Sequence, residues 1–172
     1  MDDNLRDALA TVEPFAQFNS EDLAVERLGG LTNINYRVNS PVGDFVLRLA
    51  GEGTGDYIDR GAEEKNAQVA SDAGVNAEII FFDAKSGTMV TRYIENAVTL
   101  DIEKFKDKGV LERAGRAFRQ LHDSPQLFEG EFELFEQIDQ YLAILNQLNA
   151  ELPDGYSDVH DNAKSVRAAL SS

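Results

Sequence analysis

The chain has 172 residues, 42% of them hydrophobic and 27% charged, with a formal net charge of -15 and no cysteine. That length allows one domain, or a small lobe and part of a second. The acidity argues against nucleic acid or an acidic membrane surface as partner, and the lack of cysteine excludes disulfides, zinc–thiolate sites and a thiol nucleophile. The N-terminus, MDDNLRDALATVEP, carries acids where a signal peptide needs a basic flank and an apolar stretch. No run approaches the roughly 18 apolar residues of a membrane helix. A cytoplasmic protein without a membrane partner is therefore expected.

Asn4 to Val12 reads as a short surface helix, with Leu5, Leu9 and Val12 at helical spacing and Pro14 ending it. Ser20-Glu21-Asp22 leads into a first strand, Ala24 to Leu28. After the glycine turn Gly29-Gly30, Asn33 to Asn39 alternates polar residues with Ile34, Tyr36 and Val38, which predicts a half-buried strand. Ser40 to Asp44 is a hairpin connection, Phe45 to Leu49 a third strand, and Gly51 to Gly55 a loop with three glycines. Ile58 to Ala73 is a helix stopped by Gly74. Its apolar positions, Ala62, Val69, Ala70 and Ala73, are small, so it should rest lightly on the sheet. Glu78 to Phe82 and Thr88 to Ile94 are two more strands around the turn Asp83 to Gly87.

After Glu95 the pattern becomes helical. Val110 to Leu121, Glu133 to Leu148 and Asp158 to Leu170 each gather apolar residues on one face and each require a partner surface. The predicted class is α+β. A five-stranded antiparallel sheet with one inserted helix spans residues 1–95, and helices occupy residues 96–172.

Three places can carry chemistry. Gly29-Gly30 lets the backbone lie close to a ligand and expose N–H groups to phosphate oxygens, with Thr32 and Asn33 as short donors; a glycine-rich hairpin without a ligand is the alternative. Arg48 is a cation in an apolar strand, sharing a face with Val46, whereas Phe45, Leu47 and Leu49 share the other. Buried, it needs a partner, for which Glu63 and Glu64 on the next helix are candidates; a solvent-facing arginine is the alternative. Arg92 to Asn96 joins the last strand to the helices, where backbone groups can read a base, or it is an ordinary connection.

In order, these pieces resemble the choline/ethanolamine kinase family, within the aminoglycoside-phosphotransferase-like group of the protein-kinase-like fold. Gly29-Gly30-Leu31-Thr32-Asn33-x-Asn35-Tyr36 is similar to its phosphate-covering loop, and Phe45 to Leu49 to its third strand, with Arg in place of the protein-kinase Lys. Ile58-Asp59-Arg60-x-x-Glu63-x-x-Asn66 is similar to the start of its helix, and Leu121-His122 with the helix through Tyr141 to the opening of its large lobe. The resemblance implies a kinase-like small lobe followed by the first helices of a large one. It implies nucleotide contacts from Gly30, Thr32, Asn33 and Arg48, orientation of Arg48 by Glu63, and adenine contacts from the Arg92 carbonyl and the Ile94 N–H. It implies ATP and Mg²⁺ as cofactors and transfer of the γ-phosphoryl group to choline, ethanolamine or a similar amino alcohol.

The family's catalytic loop, His-x-Asp-x-x-x-x-Asn, and its later metal-binding Asp do not follow. Val159-His160-Asp161-Asn162 has the residue types at the wrong spacing and continues as an amphipathic helix, and His122 is structural in the family. No catalytic residue and no metal ligand are assigned to this chain. It is expected to be the front portion of such an enzyme, truncated before the loop and inactive alone. Two alternatives stay open. One is a non-catalytic module that forms a homodimer or docks a protein through its helices; the other is a phosphotransferase for another alcohol, such as an aminoglycoside or thiamine.

Overall fold

Strand alternation decides the architecture. A computed structural model describes residues 3–30, 32–51, 53, 55 and 58–170. Leu31 of the glycine turn, Glu52 and Thr54 of the following loop, and Ser171-Ser172 lie outside the described residues. The strands are β1 (Ala24–Arg27), β2 (Ile34–Ser40), β3 (Gly43–Leu49), β4 (Ile79–Asp83) and β5 (Thr88–Arg92). They form one antiparallel sheet in the order β1-β2-β3-β5-β4. The helices are α1 (Asp3–Thr11), α2 (Arg60–Asp72), α3 (Lys108–His122), α4 (Leu134–Gln147) and α5 (Tyr156–Leu170). This is the α+β class expected, with α2 inserted after the third strand. Short 3₁₀ turns at Ser20–Asp22 and Lys104–Lys106 carry no periodic signal in the sequence.

The register gives the sheet a dry face and a polar one. Tyr36 pairs with Leu47, Val38 with Phe45, and Leu47 with Val90. These side chains are buried with Leu5, Leu9, Val12, Phe15 and Leu23 in one core. Phe15 meets Phe45 edge to face, with ring centroids 5.6 Å apart. The first helix is therefore one wall of the core, not merely a surface helix. Its apolar stripe and the dry face of the sheet cover each other, and that exclusion of water is the main driving term. On the other face Asn35 pairs with Arg48, Arg37 with Val46, and Asn39 with Asp44.

Helix α2 is defined locally at both ends. Asp59 accepts hydrogen bonds from the N–H groups of Gly61 and Ala62, both at 3.0 Å. At the other end Gly74, with φ of +72°, lets Val75 and Asn76 donate back to the Ala70 carbonyl. Only Arg60 and Val69 of the helix are buried, in keeping with its small apolar residues. Polar clips supply the rest of its anchorage. The Asn66 amide donates to the Glu129 carbonyl at 3.0 Å and accepts from the Glu129 N–H at 2.7 Å. Gln120 donates to the Ala73 carbonyl at 2.6 Å, and Lys65 pairs with Glu129 at 3.0 Å.

Two compact units result, Met1–Glu129 and Gly130–Ser172. In the second, Arg167 on α5 pairs with Asp139 on α4 at 2.7 Å and lies over Phe135. Tyr141, Leu148, Val159 and Leu170 remain exposed. The expected change from strand to helix falls within the first unit, after Arg92. No helix among the described residues is long and apolar enough to cross a membrane. Leu47 is fully buried between β2 and β5, so Leu47→Ala should cost about 3 kcal/mol. Urea unfolding should show a lower midpoint with an unchanged slope.

Candidate functional site

The polar face of the sheet is where the candidate residues meet. Arg48 projects from the middle of β3 and is largely buried. Its Nη1 donates to Glu63 Oε1 at 2.7 Å, its Nη2 to the Gly87 carbonyl at 3.2 Å, and its guanidinium lies over the Phe82 ring. Glu63 lies on the side of α2 turned to the sheet, whereas Glu64 is exposed. The pairing between Arg48 and Glu63 is thus formed, and the one with Glu64 is not. Glu63 has a second cation, since Arg60 Nη1 donates to its Oε2 at 2.5 Å. Arg60 was not singled out as a site residue in the sequence. An arginine three residues before a glutamate on one helix is the signal that could have found it.

Burial pushes the Glu63 carboxyl up, but hydrogen bonds from Arg60 and then Arg48 outweigh it and hold the group below the usual glutamate range. Two buried polar atoms have no hydrogen-bond partner among the described residues, Arg48 Nε and Asn33 Oδ1. An orphaned buried donor on a cation is a place where an anion's oxygen would be welcome.

The glycine turn is constrained at Gly30. A Cβ there would lie 2.2 Å from the Asn33 carbonyl oxygen and 2.9 Å from Asn35 Nδ2. The same Asn35 nitrogen donates to the Gly29 carbonyl at 3.0 Å and so closes the turn on itself. Thr32 is exposed and Asn33 half-buried, both just before β2. Further along the same face, Asp44 accepts from Arg37 and Asn39, and Arg37 lies 4.1 Å from the Tyr93 ring centroid. The Arg37 hydrogen bond, with that of Asn39, lowers the Asp44 carboxyl.

Arg92 and Ile94 lie at the end of β5 and just past it. The Arg92 side chain pairs with Glu78 at 3.2 Å and its N–H donates to the Glu78 carbonyl at 2.9 Å, and Ile94 is exposed. The structure therefore gathers Arg48 and Glu63 in direct contact, with Gly30, Thr32 and Asn33 in the turn that opens the neighbouring strand. Arg92 and Ile94 stand apart from that pair, at the far end of β5. Among the described residues no three His, Asp or Glu side chains converge on a metal site. His160 lies within α5, stacked on Tyr156, and Asp161 pairs with Lys164. His122 closes α3 beside Phe118.

Glu63 holds its proton less tightly folded than unfolded. Its pairing is therefore complete above the ordinary glutamate value of 4.5 and is lost as pH falls through the lower folded value. Glu63→Gln should lower stability at neutral pH by about 3 kcal/mol, because Arg48 and Arg60 each lose an ion pair. It should also flatten the fall in stability below pH 4.5. Urea unfolding from about pH 7 to about pH 3 reads both effects. An unchanged midpoint at neutral pH would show that the pairing adds no stability.

No protein-family model matches the chain. A choline/ethanolamine kinase family protein from Mesorhizobium loti is 44% identical, with a TM-score of 0.77 over 98% of this chain and 53% of that one. The choline kinase LicA from Streptococcus pneumoniae is 31% identical, with a TM-score of 0.74 over 87% of this chain and 52% of that one. A structure of LicA in complex with AMP is 29% identical at the same TM-score, over 91% of this chain and 54% of that one. In sequence, Protein LicA of Haemophilus influenzae is 32% identical over 138 residues, which is 80% of this chain and 41% of that protein. The chain thus spans about half the length of the relatives it matches. By sequence and by fold alike, the chain is similar to choline/ethanolamine kinase family proteins, whose N-terminal kinase-like lobe it matches.

Proposed function

We propose that this chain is the nucleotide-binding part of an ATP-dependent small-molecule kinase that passes the γ-phosphoryl group of ATP to the hydroxyl of choline, ethanolamine or a similar amino alcohol. The observation that carries the reading is the strand arginine Arg48. It is pinned by Glu63 from α2, with an unpartnered buried Nε among the described residues. The AMP bound to the related LicA supports a nucleotide as ligand. Arg48, Thr32 and Asn33 take the phosphates, and Gly30 keeps the turn narrow enough to close over them. The Arg92 carbonyl and Ile94 N–H take the adenine edge. Residues 1–95 form the nucleotide-binding lobe and residues 96–172 begin the larger one, in a cytoplasmic enzyme.

In the transfer, the acceptor hydroxyl oxygen bonds to the γ-phosphorus and the bond from that phosphorus to the bridging oxygen of ADP breaks. The hydroxyl proton passes to a carboxylate base. This chain contributes binding and orientation. Mg²⁺ accompanies ATP and neutralises its charge. The resemblance assigns its ligands and the base to the family's His-x-Asp loop and later Asp, in the part of the relatives that this chain does not span. On its own the chain binds nucleotide and transfers nothing. A second reading, a docking module or homodimer without catalysis, is favoured by the exposed Tyr141, Leu148, Val159 and Leu170.

Thermal unfolding with ATP and Mg²⁺ tests the reading. Ligand at about 100 times its Kd adds about 2.7 kcal/mol of stability. The parent should show a clear upward shift. Arg48→Ala, which removes charged hydrogen bonds worth about 1.5–3 kcal/mol, should lose most of it. No shift in the parent, with a mass that rises with concentration, would establish the second reading instead. When the chain is joined to a downstream catalytic portion, phosphoryl transfer to choline, ethanolamine, thiamine and an aminoglycoside identifies the acceptor.

A further inference from the structure

Arg60 occupies a place where a cation is poorly served. It is the first residue of α2, where the helix dipole disfavours positive charge, and it is 9% exposed, where an uncompensated charge is costly. Among the described residues, the Glu63 carboxylate supplies compensation. Arg60 holds Oε2 at 2.5 Å while Arg48 holds Oε1 at 2.7 Å. The terminal torsion of a glutamate is broad and lets the carboxylate swing. A cation on each oxygen removes that freedom. Of the two hydrogen bonds that keep Glu63 ionised, the one from Arg60 is the larger.

Gly87, in the turn between β4 and β5, serves both arginines. Its carbonyl accepts from Arg48 Nη2 at 3.2 Å. Its missing side chain makes room for Arg60, because a Cβ there would lie 2.8 Å from Arg60 Nε and 2.9 Å from Arg60 Cζ. Its φ of +70° also favours glycine. Among the described residues, one carboxylate serves both guanidiniums. A buried triad of this kind is a poor route to stability.

We propose that Arg60, seated against Gly87, is a positioning residue of the nucleotide site: it fixes the Glu63 carboxylate, and through it the Arg48 guanidinium, in the orientation that receives phosphate. This rests on the nucleotide-binding reading given above. Arg60 acts through Glu63 and is not itself assigned a contact with the nucleotide.

The test compares the parent chain with Arg60→Gln, Arg60→Lys, Arg48→Ala and the Arg48→Ala/Arg60→Gln double variant. Two readouts are used: ATP affinity by calorimetry and the ¹⁵N signal of the Arg48 Nε–H group, identified by its loss in Arg48→Ala. Arg60→Gln should weaken ATP binding about tenfold and move the Arg48 signal. Arg60→Lys should recover most of both. The double variant should bind no more weakly than Arg48→Ala, because the effect of Arg60 passes through Arg48. The inference is overturned if the Arg48 signal stays in place in Arg60→Gln, if affinity is unchanged there, or if the two losses add. If Arg48→Ala binds ATP like the parent, the nucleotide-binding reading fails instead; the Arg48 signal still reports whether Arg60 fixes that side chain.

Discussion

A guanidinium in the middle of a sheet must be compensated where it stands, and the first unit is organised around that requirement. Arg48 needs an acid at about its own height on the polar face. β3 cannot supply one, so α2 does. For Glu63 to reach it, the start of α2 must be fixed along and about its axis. The Asp59 cap and the Arg60 contact fix the start, and the clips from Asn66 and Gln120 hold the remainder. One ion pair thus sets the placement of a helix that makes little apolar contact of its own.

The division of labour between the two faces follows from strand periodicity. The face of Tyr36, Val38, Phe45, Leu47 and Val90 is closed by α1 and Phe15 and supplies the hydrophobic driving force. That frees the opposite face to carry Asn35, Arg37, Asp44 and Arg48, each of which would be costly in a dry core. Arg37 and Asp44 repeat at one end of the sheet, with a more exposed arginine, the solution used for Arg48 and Glu63 at the other.

Elements whose cause lies within a few residues were legible in the sequence. The alternation at Ile34, Tyr36 and Val38 gave β2. Gly74 gave the end of α2, and the apolar stripes gave α3 to α5 to within two residues. Arg48 stood out because its neighbours are apolar. The choice of Glu63 over Glu64 came from the resemblance and not from the residues, since either acid satisfies the chemistry and only the helix's rotation distinguishes them. What could not be read depends on chain-distant partners. Leu5, Leu9 and Val12 read as a surface stripe because nothing local says that a sheet covers them. Gly87 read as a turn glycine, its service to Arg60 and Arg48 lying 27 and 39 positions back along the chain. Asn66 and Glu129 are 63 residues apart.

The clip between Asn66 and residue 129 engages main-chain atoms on one side only. Any amino acid but proline at position 129 would present the same carbonyl and N–H group. The joint therefore places its whole sequence requirement on Asn66, whose amide alone offers a donor and an acceptor at that reach. Drift in the loop that carries Glu129 costs an exposed ion pair with Lys65 and little else. A helix held in this way can keep its position while the segment it leans on changes identity, which gives the chain room to vary next to a site that has none.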